Sequence, residues 1–353
     1  MFQSFTIRNF RGFRDLTVAP LARVNLITGQ NNAGKTALLE ALMLHTNANV
    51  PEVSLNLTAQ RGGGISDTVE IWRWLFFDRQ IKLPIELISI SADDIRRSLY
   101  LRLTRSEQVQ VTTRGGNDFA DLTRSSLEPD MLLLEYEDST GQTDTVRLTT
   151  KPDKDGTLQV VHSALLTLPP TVFISTDIRS LANLPEWWSD LEAVGRQEAI
   201  VPPLRLLEPR LQRLTVLVRR GSAPMIYGDI GMHELVPVPL MGEGVGRLLA
   251  ILLAIASVPH GIVLIDEIEN GFHHSVMTTV WQALAEATRH SDVQIFATTH
   301  SWECIQAAHT AFEMSPSYDL RLHRLERIDT TIQAVTYDQE TLATSIAMNL
   351  ETR

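Results

Sequence analysis

Eight consecutive residues could cradle a phosphate chain: Gly29-Gln30-Asn31-Asn32-Ala33-Gly34-Lys35-Thr36 has the spacing G-x-x-x-x-G-K-T. An apolar strand pattern over 24–28 precedes it and a helical pattern over 36–42 follows, which is the setting the motif requires. The glycines let backbone N–H groups curl around phosphates, and the new helix adds its positive dipole end. Lys35 is placed to reach the β- and γ-phosphates, and the Thr36 hydroxyl to ligate Mg²⁺. The spacing predicts a nucleoside triphosphate with Mg²⁺, bound by the run from Gly29 to Ala37.

A second chemical constellation lies far downstream. Gly261-Ile262-Val263-Leu264-Ile265-Asp266-Glu267 reads as a buried strand that delivers two acids to its carboxyl end, where ligands collect in open α/β sheets. Asp266 is expected to support the metal, and Glu267 to orient or deprotonate an attacking water. Gln294-Ile295-Phe296-Ala297-Thr298-Thr299-His300-Ser301 is a further buried strand ending in polar residues. His300 there can hydrogen-bond a γ-phosphate and sense it. Asn270-Gly271-Phe272-His273 suggests a dimer-facing loop. The neighbouring His273 and His274 do not suggest a metal site, since adjacent side chains point apart on a helix and lack partner ligands. Gly242-Glu243-Gly244 opens an apolar helix; alone it marks only a helix N-terminus, and with the other three motifs in order it fits a turn that contacts ATP held by a second subunit.

The elements that must position these groups follow from periodicity. Alternation over 5–10 and 13–18, broken at Arg11-Gly12, predicts a hairpin. Gly62-Gly63-Gly64 marks a loop, and 67–77 a short helix. From 84 to about 161 the pattern is β, with strands expected over 85–90, 99–104, 109–113, 131–136, 145–148 and 158–161 and turns at Gly115-Gly116-Asn117 and Ser139-Thr140-Gly141. A strand over 171–175 comes next. Two helical stretches, 178–198 and 204–220, are separated by Pro202-Pro203, with Trp187-Trp188 expected to pack against the β lobe. A turn at 228–231 leads into helix 245–257, strand 262–265, helix 274–288, strand 293–298 and helix 302–312, an alternation that indicates a parallel sheet flanked by helices. A hairpin (320–324 with 332–337) and a helix over 342–350 complete the order.

Composition bounds the partners. The chain has 353 residues, 44% hydrophobic and 21% charged, and 42 acidic against 31 basic side chains gives a net charge of −11. Such a balance does not support a broad nucleic-acid footprint, which needs clustered Lys and Arg. Of the basic residues only Lys35, Lys82, Lys151 and Lys154 are lysines, so Lys35 has little competition for phosphate. The single cysteine, Cys304, excludes an intramolecular disulfide and reads as buried packing. No signal segment is evident at Met1, and the apolar run 248–258 is about half of a membrane span of roughly 20 residues. A cytoplasmic protein is expected.

Phosphate loop, glycine turn, Asp-Glu strand, Asn-Gly loop and Thr-His-Ser strand together resemble the ordered motif set of ABC-type ATPases. The opening Ile7-Arg8-Asn9-Phe10-Arg11-Gly12-Phe13 is similar to the first strand of the SMC and RecF branch. Met241-Gly242-Glu243-Gly244, Ile265-Asp266-Glu267-Ile268-Glu269-Asn270-Gly271 and Ala297-Thr298-Thr299-His300-Ser301 resemble the AAA-type ATPases related to OLD nucleases. The resemblance implies an α/β, ABC-type P-loop ATPase: a mixed sheet flanked by helices, an antiparallel β lobe and a short helical arm. It implies one domain, with the phosphate loop in 1–83, the lobe in 84–170, the arm in 177–221, and the turn, acidic strand and histidine in 222–353. It also implies ATP and Mg²⁺ as cofactors, with Lys35 and Thr36 on phosphate and metal, Asp266 on metal, Glu267 on water and His300 on the γ-phosphate. Gly242, Glu243 and Gly244 would close on ATP bound by the partner of a homodimer or higher oligomer.

Two departures from the family pattern stand out. Gly242-Glu243-Gly244 lacks the serine hydroxyl of the usual Ser-x-Gly, leaving backbone N–H groups to do the binding. Gln60 is the candidate for the glutamine that couples nucleotide to the lobe. No Glu…Asp-x-Asp constellation of a Toprim nuclease is found, since Asp319, Glu326 and Asp329 are scattered. The resemblance therefore implies a separately encoded effector, a nuclease or Toprim-type protein, controlled by this ATPase in bacterial antiviral defence. A RecF-like DNA-repair ATPase that binds DNA directly is the alternative. An ABC transporter subunit is disfavoured by the missing serine and membrane span.

Overall fold

The computed structural model describes residues 1–50, 53, 68–104, 131–150, 158–161, 166–176 and 183–349. The chain opens with a hairpin, β1 (Phe2–Phe10) and β2 (Phe13–Val18), then β3 (Val24–Gly29), the phosphate loop and α1 (Lys35–Thr46). The short α2 (Thr68–Arg73) precedes an antiparallel run: β4 (Ile85–Ser91), β5 (Arg96–Thr104), β6 (Met131–Asp138), β7 (Thr143–Thr150) and β8 (Leu158–Val161). After β9 (Thr171–Ile174) come α3 (Leu184–Ala193), the single turn α4 (Val201–Leu204), β10 (Arg213–Leu217), β11 (Met225–Asp229) and β12 (Val236–Pro237). The last part holds α5 (Glu243–Ser257), β13 (Ile262–Ile265), α6 (Met277–Ser291), β14 (Gln294–Thr298), α7 (Trp302–Glu313), β15 (Leu320–Ile328), β16 (Thr331–Tyr337) and α8 (Gln339–Ala347).

The strands form three sheets, in the orders β16-β15-β3-β14-β13-β9, β2-β1-β4-β5-β6-β7-β8 and β10-β11-β12. In the first, β3, β9, β13, β14 and β15 run parallel and β16 returns antiparallel, so the sheet is mixed. The β lobe is not a separate sheet. β4 pairs antiparallel with β1, so the opening hairpin and the lobe are one continuous surface.

Strand period places the core on both sides of the mixed sheet. Val24 and Leu26 of β3, Val263 and Ile265 of β13, and Ile295 and Ala297 of β14 face one cluster, shared with α5, α6 and α7. Ile27, Ile262, Leu264 and Phe296 face the other, shared with α1 and the seven-stranded sheet. Layer order is therefore helices, mixed sheet, then α1 against the antiparallel sheet. Helix α5 is buried nearly all round, from Leu248 through Ile255. A helix apolar on every face must be covered on every face, and α5 lies between the mixed sheet and the α3/β10–β12 unit.

Several expectations are corrected here. Residues 204–220 are not a helix: α4 stops at Leu204 and β10 pairs with β11 from Arg213 to Leu217. The expected turn at 228–231 begins inside β11. Trp188 is buried against the unit around Leu211, Leu214, Ile226 and α5, not against the β lobe. Cys304 is buried as expected. Strand 109–113, the turn at 115–117, Gln60 and Gly62-Gly63-Gly64 lie outside the described residues. Among the described residues no helix is long and apolar enough to cross a membrane.

Candidate functional site

Parallel pairing brings the carboxyl ends of β3, β14 and β13 side by side, and each ends in a chemically active loop. Gly29, at φ 138, closes β3; a Cβ there would sit 2.4 Å from the Leu325 carbonyl oxygen. Gly34, at φ 97, turns the loop into α1, and a Cβ on it would meet Phe13 Cζ at 2.7 Å. Gly29 therefore excludes a side chain, and one at Gly34 would have to displace the Phe13 ring. Gln30, Asn31 and Asn32 are exposed, Ala33 and Ala37 buried. Arg327 of β15 donates to Asn32 O at 3.1 Å and ties the loop tip to the sheet. A cavity of about 350 Å³ lies beside the loop, lined by Gln30, Asn31, Ala33 and β15 residues including Arg324 and Arg327.

Lys35 is buried, and its Nζ donates to the carbonyls of Gly29 at 2.7 Å and Gln30 at 3.0 Å. Burial lowers its pKa, and Asp266, Glu267 and Glu269 pull the other way. Those carbonyls are neutral acceptors, so the ammonium has no anion bonded to it among the described residues. This donor set fits a phosphate group.

Thr36 Oγ1, in the first turn of α1, donates to Asp266 Oδ2 at 3.2 Å, just past the end of β13. A hydroxyl and a carboxylate held together are the hard oxygen ligands that Mg²⁺ prefers, so Thr36 and Asp266 fit that ion. No cluster of three or more His, Cys, Asp or Glu suited to a metal occurs among the described residues. His273 and His274 do not point apart as expected: their ring centroids are 4.1 Å apart. The reason is that His273 is extended (φ −75, ψ 142) and caps the following turn instead of lying in it.

Glu267 sits in the left-handed region at φ 48, unusual for a non-glycine residue. Its side chain is thereby turned toward two neighbours. Asn270 Nδ2 donates to Glu267 Oε2 at 2.8 Å, and His300 Nε2 lies 3.8 Å from Oε1. The His300 N–H donates to Glu269 Oε1 at 2.7 Å. Lys35, Thr36, Asp266, Glu267 and His300 are thus brought to one edge of the mixed sheet. Gly242, Glu243 and Gly244 are not part of that cluster of contacts. They form the start of α5, with Gly242 at φ 115 and Gly242 and Glu243 exposed.

Sequence reasoning missed two supporting residues. Thr298, fully buried at the end of β14, donates from Oγ1 to Asp266 Oδ1 at 2.6 Å and accepts the Glu267 N–H at 2.8 Å. Arg247 of α5 donates to Ser175 O and Asp266 O, both at 2.8 Å. Burial lowers the pKa of this guanidinium, against the pull of Asp266 and Glu243. The available signal was a lone cation within the apolar run of α5.

Known proteins share this architecture. The family described as "AAA domain, putative AbiEii toxin, Type IV TA system" matches residues 24–303. A protein of Helicobacter pylori named ATP/GTP phosphatase is 24% identical over 366 residues, covering 97% of this chain and 97% of its own length. The DNA replication and repair protein RecF of Idiomarina loihiensis is 40% identical over 42 residues, 12% of each chain. Among solved structures, an Smc head bound to the C-winged helix domain of ScpA superposes with TM-score 0.52 at 12% identity, covering 96% of this chain and 98% of that one. An Smc head with an extended coiled coil, bound to the C-terminal domain of ScpA from Pyrococcus furiosus, gives 0.50 at 10% identity and 99% coverage of both. At such identities the likeness is one of fold.

Proposed function

The chain belongs to the AAA-domain family that matches residues 24–303, and from that premise we propose that it is an ATP-hydrolysing regulatory subunit. It closes as a homodimer around ATP and controls a separately encoded effector, such as a nuclease, in a bacterial defence-type system. The observation that carries this reading is the convergence of Lys35, Thr36, Asp266, Glu267 and His300 beside a loop turned by Gly29 and Gly34 at positive φ. A relative named ATP/GTP phosphatase supports hydrolysis. Exposure of the Gly242–Glu243 turn supports its use by a second subunit. An Smc head bound to a ScpA domain supports a partner protein on this fold, and the family's description as a toxin-system component supports the defence setting.

In this assignment Lys35 and the loop N–H groups bind the β- and γ-phosphates, Thr36 and Asp266 hold Mg²⁺, and Glu267 orients the attacking water. An Mg²⁺ ion held by Thr36 and Asp266 would supply charge neutralisation to the phosphates. His300, near Glu267, is placed to donate to the γ-phosphate. The test is sedimentation of two variants with ATP. Glu267→Gln is expected to bind ATP, hydrolyse it at least about 100-fold more slowly, and accumulate as a dimer. Lys35→Ala is expected to bind no nucleotide and remain unshifted. Absence of both ATP binding and an ATP-trapped dimer would sink the assignment.

The RecF likeness over 42 residues favours a second reading, direct DNA binding. It requires an affinity that falls steeply with salt, and a flat, weak signal from the protein alone removes it.

A further inference from the structure

Three consecutive residues, Asn270, Gly271 and Phe272, connect the acidic pair to the glycine turn within one chain. Asn270 holds Glu267 at both ends. Its amide Nδ2 donates to the carboxylate at 2.8 Å, and its backbone N–H donates to the Glu267 carbonyl at 3.0 Å. The next residue, Gly271, is at φ 82, and its carbonyl oxygen lies where a Cβ on Gly244 would meet it at 2.9 Å. A Cβ on Gly271 would itself lie 3.0 Å from Glu243 Cγ, and the Phe272 ring is 3.4 Å from the same Gly244 position. Turn and loop approach so closely that a side chain added at Gly244 would have to push the loop away.

We propose that Asn270 is the positioning residue of this site. It sets the Glu267 carboxylate and, because Gly271 is wedged against Gly244, ties that setting to the glycine turn of the same subunit. The proposal rests on the reading that Glu267 serves the attacking water and that the turn serves a nucleotide on the partner. Each turn, in gripping the partner's nucleotide, then bears on the carboxylate of its own subunit.

Asn270 Nδ2 at 2.8 Å is a closer partner of the Glu267 carboxylate than His300 at 3.8 Å, and a misplacement of about 1 Å from a residue outside the chemistry can lower turnover about 100-fold. The experiment compares the full chain with Asn270→Ala and with Asn270→Asp, which keeps the shape and loses the N–H donor. Single-turnover hydrolysis is followed with labelled ATP, and binding with a fluorescent ATP analogue. The expected result is a loss of about 10- to 100-fold in turnover with the dissociation constant unchanged within about twofold. In a Glu267→Gln background the further loss from Asn270→Ala should shrink to less than about twofold, because the residue acts through that side chain. The loss caused by Gly244→Ala should shrink likewise in an Asn270→Ala background. A merely structural role would lower turnover by the same factor in every background, or weaken nucleotide binding. Turnover within about twofold of the parent for both Asn270 variants, or fully additive losses, overturns the proposal. If Asn270→Ala does not fold, Asn270→Asp carries the same comparison. A parent chain that neither binds nor hydrolyses ATP would instead overturn the function on which the proposal stands.

Discussion

Asp266 is held by more than its place at the end of β13. Two hydroxyls, from Thr36 and Thr298, donate to its carboxylate, and Arg247 fixes its carbonyl. Thr298 is the tighter partner at 2.6 Å, and the same oxygen accepts the Glu267 N–H. One buried hydroxyl thus sets both acids. Replacing it by valine keeps the volume and the β-branched shape that suit a strand, and removes the donor and the acceptor together. Thr298→Val should weaken Mg²⁺-dependent turnover by about 10- to 100-fold, the usual effect of losing a partner behind a metal ligand. Titrating Mg²⁺ at saturating ATP checks it: the half-saturating concentration should rise, while binding of ATP without metal stays near the parent value. An unchanged Mg²⁺ requirement would mean that Thr36 and the metal orient Asp266 without help.

At the scale of elements, the phosphate loop is shaped by two glycines that differ in what surrounds them. Gly29 faces a main-chain carbonyl, that of Leu325, which cannot move without breaking the β3–β15 pairing. Gly34 faces the edge of the Phe13 ring, which can tilt. Gly34→Ala is therefore expected to cost about 2–5 kcal/mol, from left-handed strain of about 1–2 and overpacking of about 1–3, and to fold. Gly29→Ala should be more destabilised than that, and urea unfolding of the two side by side is the check; equal midpoints would contradict the distinction. These loop features were legible in the sequence because the motif, its strand and its helix are contiguous. So were the acids at the end of β13, since four apolar residues followed by two carboxylates have few other meanings. Residues 204–220 were misread for a physical reason. Leu204, Leu207, Leu211 and Leu214 recur at helical spacing, yet Pro209 interrupts the ladder, and Leu214-Thr215-Val216-Leu217 then pairs with β11. Leu211 and Leu214 still face one core, with Ile226 and Trp188, so the stripe was real and its geometry was not. Contacts such as Thr298 to Asp266 were not legible, because they join residues 32 apart through strand register.

For the molecule as a whole, the mixed sheet and the antiparallel sheet must stay packed for the phosphate loop to keep its shape, and two buried histidines lie at their seams. His45 of α1 sits against the rings of Phe2 and Phe5 and bonds Ser89 of β4 at 2.8 Å. His323 of β15 lies between Asn25 of β3, at 3.2 Å, and Thr336 of β16, at 2.9 Å. Burial pushes each from 6.5 down to about 3, with Arg97 adding to the effect at His45 and Arg321 at His323. Because the folded-state value lies below the unfolded one, the unfolded chain takes up the proton first as pH falls. The stabilisation is complete above about pH 6.5 and declines below it, by about 1.4 kcal/mol per pH unit for each histidine. Above about pH 5 the carboxylates remain ionised, so the window from about 6.5 to 5 is where the proton uptake of these two groups in the unfolded chain is felt. Urea midpoints measured across that window should fall steadily in the parent. In His45→Gln, which starts less stable because it disturbs the packing under Phe2 and Phe5, the fall should be shallower by about one proton. A parent whose midpoint is flat between those limits would show that both rings accept a proton without leaving their seams. If acid instead loosens the seams, nucleotide bound at the loop should counter the loss, since a ligand that binds only the folded state stabilises it by mass action. Repeating the pH series with saturating ATP and Mg²⁺ on Glu267→Gln should therefore raise every midpoint and leave the slope unchanged, because neither histidine touches the phosphate loop's donors.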